Sequence, residues 1–270
     1  MKNSIPFYKM VASGNDFVVV DNRRGIVKDA VAFTREVCRP HLGAGADGVL
    51  LFENSKTANF KMRIINSDGS EAAACGNGFR CIALYAYNIL KHSSRMTFES
   101  GSGLIEAEVG QKDQIKVQLV KPRVFELENT LEACKQKIRY AFLDTGVPHT
   151  VIFTEDLGKV NVFETGKAIR NHARFQPFGT NVNFVEVKGK KEIAVRTYER
   201  GVEDETLACG TGSTASAVIS VLKGFVESPV SVMTKSGEKL RIAMQKEGDE
   251  ITKVFLEGTA QFVYKGEYFQ

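Results

Sequence analysis

The stretch EAAACGNGFRC, Glu71–Cys81, sets a cysteine between a run of small residues and two glycines. A second stretch, ETLACGTGSTAS, Glu205–Ser216, does the same in the other half of the 270-residue chain. Behind Cys75 the apolar residues Phe79, Ile82, Ala83, Ala86, Tyr87 and Leu90 follow the i, i+3, i+4, i+7, i+8, i+11 series of one buried helix face. Behind Cys209 the series is Ala215, Val218, Ile219 and Leu222. The spacing predicts a helix opening at each Cys-Gly turn.

Working outward, the flanks repeat as well. FYKMVASGNDFVVVD carries Gly14-Asn15 before Val18-Val19-Val20, and YAFLDTGVPHTVIF carries Gly146-Val147 before Val151-Ile152-Phe153. GADGVLLFE and GTNVNFVEV both read as strands entered from a Gly-rich turn. FKMRIINSDGSE and IAVRTYERGVEDE are each a strand ending in a polar turn. After each helix comes a strand, a Ser-Gly turn and another strand, MTFESGSGLIEAEV and VSVMTKSGEKLRIAM. The expectation is a duplicated α+β fold: two pseudo-symmetric halves, each a strand-rich unit around a central helix, with one Cys-Gly turn from each reaching a cleft between them.

The chemistry of such a turn follows from the helix terminus. Its first N–H groups lack intrahelical partners and sit at the positive end of the helix dipole. Glycine lets the backbone approach a carboxylate or phosphate closely. A thiolate at the same place is stabilised. Each turn can therefore supply an anion cradle together with a proton-transferring sulfur. Inverting a carbon centre needs a base on one face and an acid on the other, and two near-equivalent thiols meet that need. The cradles would hold the carboxylate on that carbon and stabilise the charge that develops there. No pyridoxal-phosphate lysine motif is evident, so no cofactor is expected and the proton work falls on side chains.

Bulk composition narrows the alternatives. An apolar fraction of 43% and a charged fraction of 25% are those of a globular protein. A net charge of +4 with no block of Lys or Arg argues against a nucleic-acid partner. No apolar run approaches a membrane span, and MKNSIPFYKMVASGNDF lacks the core of a signal peptide, so a cytoplasmic protein is expected. The five cysteines are sparse and odd in number, unlike a disulfide framework. There is no Cys-x-x-Cys pair, and His41, His92, His149 and His172 show no ligand spacing, so no metal is expected. Lone cysteines are usually buried structural residues, which is the reading for Cys38, Cys81 and Cys134. GTGSTA, Gly210–Ala215, also matches a dinucleotide fingerprint, but ERGVEDETLAC stands where a strand should directly precede it. A thiol redox pair remains a third reading, one that leaves the anion cradles idle.

On these residues the chain resembles the diaminopimelate epimerase family, cofactor-independent enzymes that interconvert LL- and meso-diaminopimelate in lysine and peptidoglycan synthesis. The resemblance runs through SGNDF (Ser13–Phe17), GADG (Gly45–Gly48), NSDGSEAAACGNGFRC (Asn66–Cys81), GTNVNFVEV (Gly179–Val187), YERGVEDETLACGTG (Tyr198–Gly212) and the His of GVPH. It implies that Cys75 and Cys209 are the acid/base thiols. Gly76-Asn77 and Gly210-Thr211 would hold the α-carboxylate at the reacting carbon. Asn15, Asn66, Asn181 and Arg200 would bind the distal amino-acid end, and Glu199 and His149 would tune the thiols and polar contacts. It implies a small-molecule partner, diaminopimelate, and a homodimer in many members. The halves are expected at 1–120 and 121–259, with 260–270 returning to the first half as a strand.

The residues taken singly allow plainer readings. Asn15 and Asn66 are common turn residues, Glu199 and Arg200 can form a solvated charge pair, and His149 can simply stand at a strand entrance. Asn66 and Glu199 nevertheless occupy matching places in the two repeats, as do Asn15 and Val147. The chain departs from the family where Val147 replaces a frequent Asn and Val11 a frequent His, which bears on distal specificity rather than on the thiols. A proline racemase or hydroxyproline epimerase shares the two-thiol logic but binds a ring; Arg200 with the Asn set favours the longer substrate.

Overall fold

The structure, a computed structural model, describes residues 4–248 and 250–269. Residues 1–3 and 270 of the first expected half, and residue 249 of the second, lie outside the described residues. The chain forms two compact units, one holding the chain up to Gln118 together with that from Gly258 on, the other Leu119–Glu257.

In the first unit β1 (Ser4–Ala12) and β2 (Asn15–Asp21) form a hairpin, followed by α1 (Ala30–Val37) and β3 (Gly48–Glu53). The chain continues through β4 (Phe60–Asn66), the short β5 (Glu71–Ala72), α2 (Gly76–Asn88), β6 (Arg95–Ser100), β7 (Gly103–Val109) and β8 (Gln114–Leu119). The β1–β2 turn places Ser13 and Gly14 at φ of 53° and 79°, the left-handed pair that a tight hairpin requires. Strands β2 and β3 pair in parallel. A parallel pair needs a crossover, and α1 provides it. Asp29 caps α1 by accepting from Ala32 N at 2.9 Å.

Apolar residues fill both faces of β2 and β3. Val18, Val20, Val49 and Leu51 share a cluster with Phe33 and Val37 of α1. Neighbours of the other parity look toward α2, where Phe52 meets the ring of Tyr85. Strands covered on both faces carry unbroken apolar runs such as VVV. Helix α2 packs on β1, β2, β3 and β7, and all of Gly76–Ala86 is buried. The single buried face expected from spacing is therefore too narrow. Cys81, Leu84 and Tyr85 are buried too, whereas Tyr87, assigned to that face, is exposed.

The second unit opens with the hairpin β9 (Arg123–Ala133) and β10 (Gln136–Asp144), then β11 (Pro148–Phe153), α3 (Val162–Arg170) and β12 (Asn181–Gly189). It goes on through β13 (Glu192–Glu199), β14 (Asp204–Thr206), α4 (Gly210–Leu222), β15 (Val230–Met233), β16 (Lys239–Glu247) and β17 (Glu250–Thr259). Asn161 caps α3 through Glu164 N at 3.1 Å. The pairing rules of the first unit recur. β10–β11, β12–β13, β13–β14, β15–β16 and β16–β17 are antiparallel, and β11–β12 and β13–β15 are parallel. β1–β2, β3–β4, β4–β5, β6–β7 and β7–β8, then β2–β3 and β4–β6, are their counterparts. The last strand, β18 (Gln261–Phe269), pairs antiparallel with β1, as β9 pairs with β10.

The crossover helices α1 and α3 add a second helix to each repeat, beside the central one. One expectation is corrected. Cys134 is exposed rather than buried, because Cys134 and Lys135 form the tip of the β9–β10 hairpin at φ of 52° and 58°. Cys38 and Cys81 are buried, and burial pushes the Cys38 thiol up to about 12 and raises that of Cys81 as well. No helix among the described residues is long and apolar enough to cross a membrane.

Candidate active site

Each expected thiol is the N-cap of its helix. Cys75 has extended backbone, φ −154° and ψ 111°, and its Sγ accepts from Gly78 N at 3.5 Å while its carbonyl accepts from Phe79 N at 2.8 Å. Cys209 repeats this at φ −118° and ψ 110°, with Gly212 N at 3.4 Å and Ser213 N at 2.8 Å. A sulfur at this position does what a Ser or Asp cap oxygen does, and the donated N–H favours its anionic form. The N–H groups of Gly76-Asn77 and of Gly210-Thr211 come before these and have no carbonyl partner within the helix. A short strand, β14, does stand ahead of α4, but it runs antiparallel to β13. A dinucleotide fingerprint needs the parallel βαβ setting instead.

Around Cys75, the Asn15 amide is fixed from both ends. Its Nδ2 donates to Asp47 Oδ2 at 2.6 Å, and its Oδ1 accepts from Cys75 Sγ at 3.7 Å. Asp47 and Asp16 clasp each other: Asp16 N donates to Asp47 Oδ2 at 3.1 Å and Asp47 N to Asp16 Oδ1 at 3.0 Å. The buried Lys9 neutralises the clasp through Asp16 at 2.7 Å and also donates to the Gly45 carbonyl. Asn15 thus stands beside the thiol. Asn66 donates to Ser70 Oγ at 3.0 Å within its own turn and pairs across from Gly48. The Asn77 side chain is buried and turned inward, accepting from Arg80 Nη2 at 3.0 Å.

Arg80 is a functional candidate that sequence reading passed over. It is fully buried, five residues along α2 from Cys75, and its guanidinium joins Asn77 to Ser13 Oγ at 2.5 Å and the Thr259 carbonyl at 3.1 Å. It pins the first turn of α2 to the β1–β2 hairpin that presents Asn15.

In the second unit, the strand ends carry the remaining residues. His149 and Asn181 stand opposite each other at the starts of β11 and β12. Asn181 Nδ2 donates to the Pro148 carbonyl at 3.0 Å and its Oδ1 accepts from Arg200 N at 2.9 Å. Arg200 Nη1 donates to the Phe178 carbonyl at 2.8 Å, and Glu199 accepts from Thr206 Oγ1 at 3.0 Å. Cys209 Sγ lies 3.4 Å from Thr211 Oγ1. His149 is completely buried, and burial foremost, then the Arg200 charge, push its pKa down to about 3. It stands at the entrance of β11, and a pKa this low keeps the imidazole neutral near pH 7.

Asn183, also missed, is buried beneath the Cys209 turn. Its Nδ2 donates to the Thr150 carbonyl at 3.0 Å and meets His149 Nδ1 at 3.1 Å, and its Oδ1 accepts from Thr197 Oγ1 at 3.0 Å. The signal was present in GTNVNFVEV, where Asn181 and Asn183 alternate onto one strand face. A groove of about 450 Å³ lined by Phe153, Thr154, Glu155, Glu186, Val187 and Phe225 lies at the other ends of β11 and β12, away from this cluster. Among the described residues no three His, Cys, Asp or Glu side chains gather as a metal site.

A family model described as diaminopimelate epimerase matches residues 7–125 and 141–263. The diaminopimelate epimerase of Aquifex aeolicus is 46% identical over 274 residues, 96% of each chain. That of Chlorobaculum tepidum is 40% identical over 260 residues, 95% of this chain and 98% of the relative. Among solved structures, a hydroxyproline epimerase from Agrobacterium vitis superposes with a TM-score of 0.75 at 15% identity, covering 100% of this chain and 94% of that one. A Bacillus anthracis phenazine biosynthesis protein of the PhzF family gives 0.75 at 14% identity over 99% and 100%. At such identities these two likenesses concern the fold alone. With matched Cys-capped helices in two like units, a family model spanning both, and relatives matched along nearly their whole length, the chain belongs to the diaminopimelate epimerase family.

Proposed function

We propose that this isomerase epimerises diaminopimelate with Cys75 and Cys209 as its two acid/base groups. The observation that carries the reading is that both thiols cap helices in the same way, each receiving an N–H from the residue three positions on. The thiolate of one removes the α-proton and the thiol of the other delivers a proton to the opposite face. The N–H groups of Gly76, Asn77, Gly210 and Thr211 hold the α-carboxylate, where fixed donors favour the charge developing at the carbon. Arg200, Asn66 and Asn181 select the distal end, with Glu199 offering a carboxylate to its ammonium. Asn15, in hydrogen-bond contact with Cys75, belongs in this reading to the reacting end. Val147 leaves that position of the distal pocket without an amide.

Acid–base thiols must stay reduced, which fits a cytoplasmic enzyme. The exposed Val263, Tyr264 and Phe269 on β18 support a homodimer, which sedimentation of the purified chain would test. The substrate assignment is tested by proton NMR in D2O with LL-diaminopimelate, lysine and proline offered in turn. The α-proton signal of diaminopimelate alone should vanish. Loss of the proline signal instead would assign the chain to ring substrates.

A further inference from the structure

Matching strand positions in the two units carry opposite chemistry. In the first unit Leu50 stands opposite Ile64, and Phe17 opposite Gly48. In the second, Asn183 stands opposite Thr197, and His149 opposite Asn181. The glycines above report the same contrast. A Cβ at Gly78 would meet Leu50 Cδ2 and Met62 Cε, each at 3.2 Å. A Cβ at Gly212 would drive into Asn183 Oδ1, with Thr197 Oγ1 at 3.1 Å and Cys209 Sγ at 3.2 Å. A buried polar network thus lies against the Cys209 turn where the Cys75 turn has apolar packing. Burying polar groups is costly unless they are hydrogen-bonded.

The hydrogen bonds of this network have one solution. The Thr150 carbonyl only accepts, so the end of the Asn183 amide 3.0 Å from it is the NH2. The second proton of that NH2 goes to His149 Nδ1. The Thr197 hydroxyl then donates to Asn183 Oδ1. His149 Nδ1 therefore carries the lone pair, and the proton of the neutral ring is on Nε2. Protonating Nδ1 would set N–H against N–H. The nearby Arg200 charge and complete burial act in the same direction. Nε2 itself is buried and has no hydrogen-bond partner among the described residues.

We propose that Asn183 is a positioning residue that locks His149 as the Nε2–H tautomer, making it a fixed hydrogen-bond donor to an acceptor on the substrate and not a carrier of protons. Only the identity of that acceptor rests on the proposed function; the tautomer follows from the hydrogen bonds alone.

Nitrogen-15 NMR of the histidine-labelled full chain, without substrate, reads the tautomer directly and independently of activity. The expected spectrum has a pyridine-type Nδ1 and a proton-bearing Nε2 for His149, unchanged from about pH 5 to 8, where an ordinary histidine titrates. A proton on Nδ1, or titration in that range, overturns the proposal. In Asn183→Asp the new carboxylate can accept from Nδ1–H, so the pattern should reverse; an unchanged pattern also counts against it. The donor role is read from kcat/KM. His149→Gln keeps an N–H near Nε2 and should stay within roughly tenfold of the parent, whereas His149→Phe should lose roughly a hundredfold, the scale of one lost donor to a developing anion. Equal losses, or none, overturn the donor role. The Nε2–H signal should move on adding diaminopimelate. No movement refutes the substrate contact.

Discussion

Asn15 shows how a residue can be singled out from its local motif while its neighbourhood goes unread. Its place in SGNDF marked it as a candidate, but its partner Asp47 is 32 positions away and became visible only in the parallel pairing of β2 with β3. The same holds for Asn183 with His149, and for Arg80 with Thr259. The cysteines and glycines were legible because a helix N-cap is a local arrangement of consecutive residues, whereas a buried polar network joins distant ones. At this scale Asp47→Ala should lower kcat roughly tenfold, the order expected when one charge-assisted hydrogen bond that orients a reacting group is lost. Adding Asn15→Ala should cost little more, since both act through one amide; steady-state kinetics of the two single variants and the double variant would show additive losses if Asp47 acts otherwise. Arg200→Lys should reduce kcat/KM for diaminopimelate roughly thirtyfold or more, because a bidentate fork to a carboxylate is lost. Lysine, which lacks the distal carboxylate, should gain relative to it. Equal losses for both substrates would remove Arg200 from the distal pocket.

Among the elements, α2 and α4 were legible from apolar spacing, but their burial on nearly every side was not, because spacing describes one face and the strands cover the others. Three buried hydroxyls of α4 are satisfied within the helix: Thr214, Ser216 and Ser220 each donate to the carbonyl four residues back at 2.7–2.8 Å. The crossover helices α1 and α3 went unread, since at 8 and 9 residues each shows barely two turns of pattern. The unequal floors beneath the two Cys-Gly turns give an element-scale prediction. Gly212→Ala should cost about 1–3 kcal/mol through overpacking against the fixed Asn183 amide. Gly78→Ala meets the flexible ends of Leu50 and Met62 and makes an ordinary contact with Cys75 Cβ, and it gains about 0.5–1 kcal/mol of helix preference, so it should be near neutral. Thermal unfolding compares them, and equal shifts would contradict the contrast. Acid stability follows from His149. The unfolded chain protonates this histidine near 6.5, the folded chain only near 3. Between these values the unfolded state holds more protons, so the stabilisation is complete above about pH 6.5 and falls away as the pH drops toward 3. From pH 7 to pH 5 the loss is about 2 kcal/mol. His92, lowered by burial as well, adds in the same direction. Urea unfolding at both pH values should show a smaller loss in His149→Phe than in the parent chain.

At the scale of the whole molecule the duplication was readable because pairs of segments recur in the same order, and ten elements of each unit correspond, from β1 and β10 to β8 and β17. The repeat also explains β18: it does for β1 what β9 does for β10, so the first repeat is completed by the end of the chain. What the repeat could not convey is where the two copies diverge, since Phe17, Leu50 and Ile64 answer to His149, Asn183 and Thr197 only through strand register. A duplicated unit with a thiol at each helix start is the basis of the central claim, that inversion requires both sulfurs. The most direct test follows LL-diaminopimelate in D2O by proton NMR with the parent chain, Cys75→Ala and Cys209→Ala, each checked for folding by thermal melting. The parent should form meso-diaminopimelate with deuterium at the inverted carbon, and neither variant should form any while both remain folded. Full conversion by either variant would contradict the central claim.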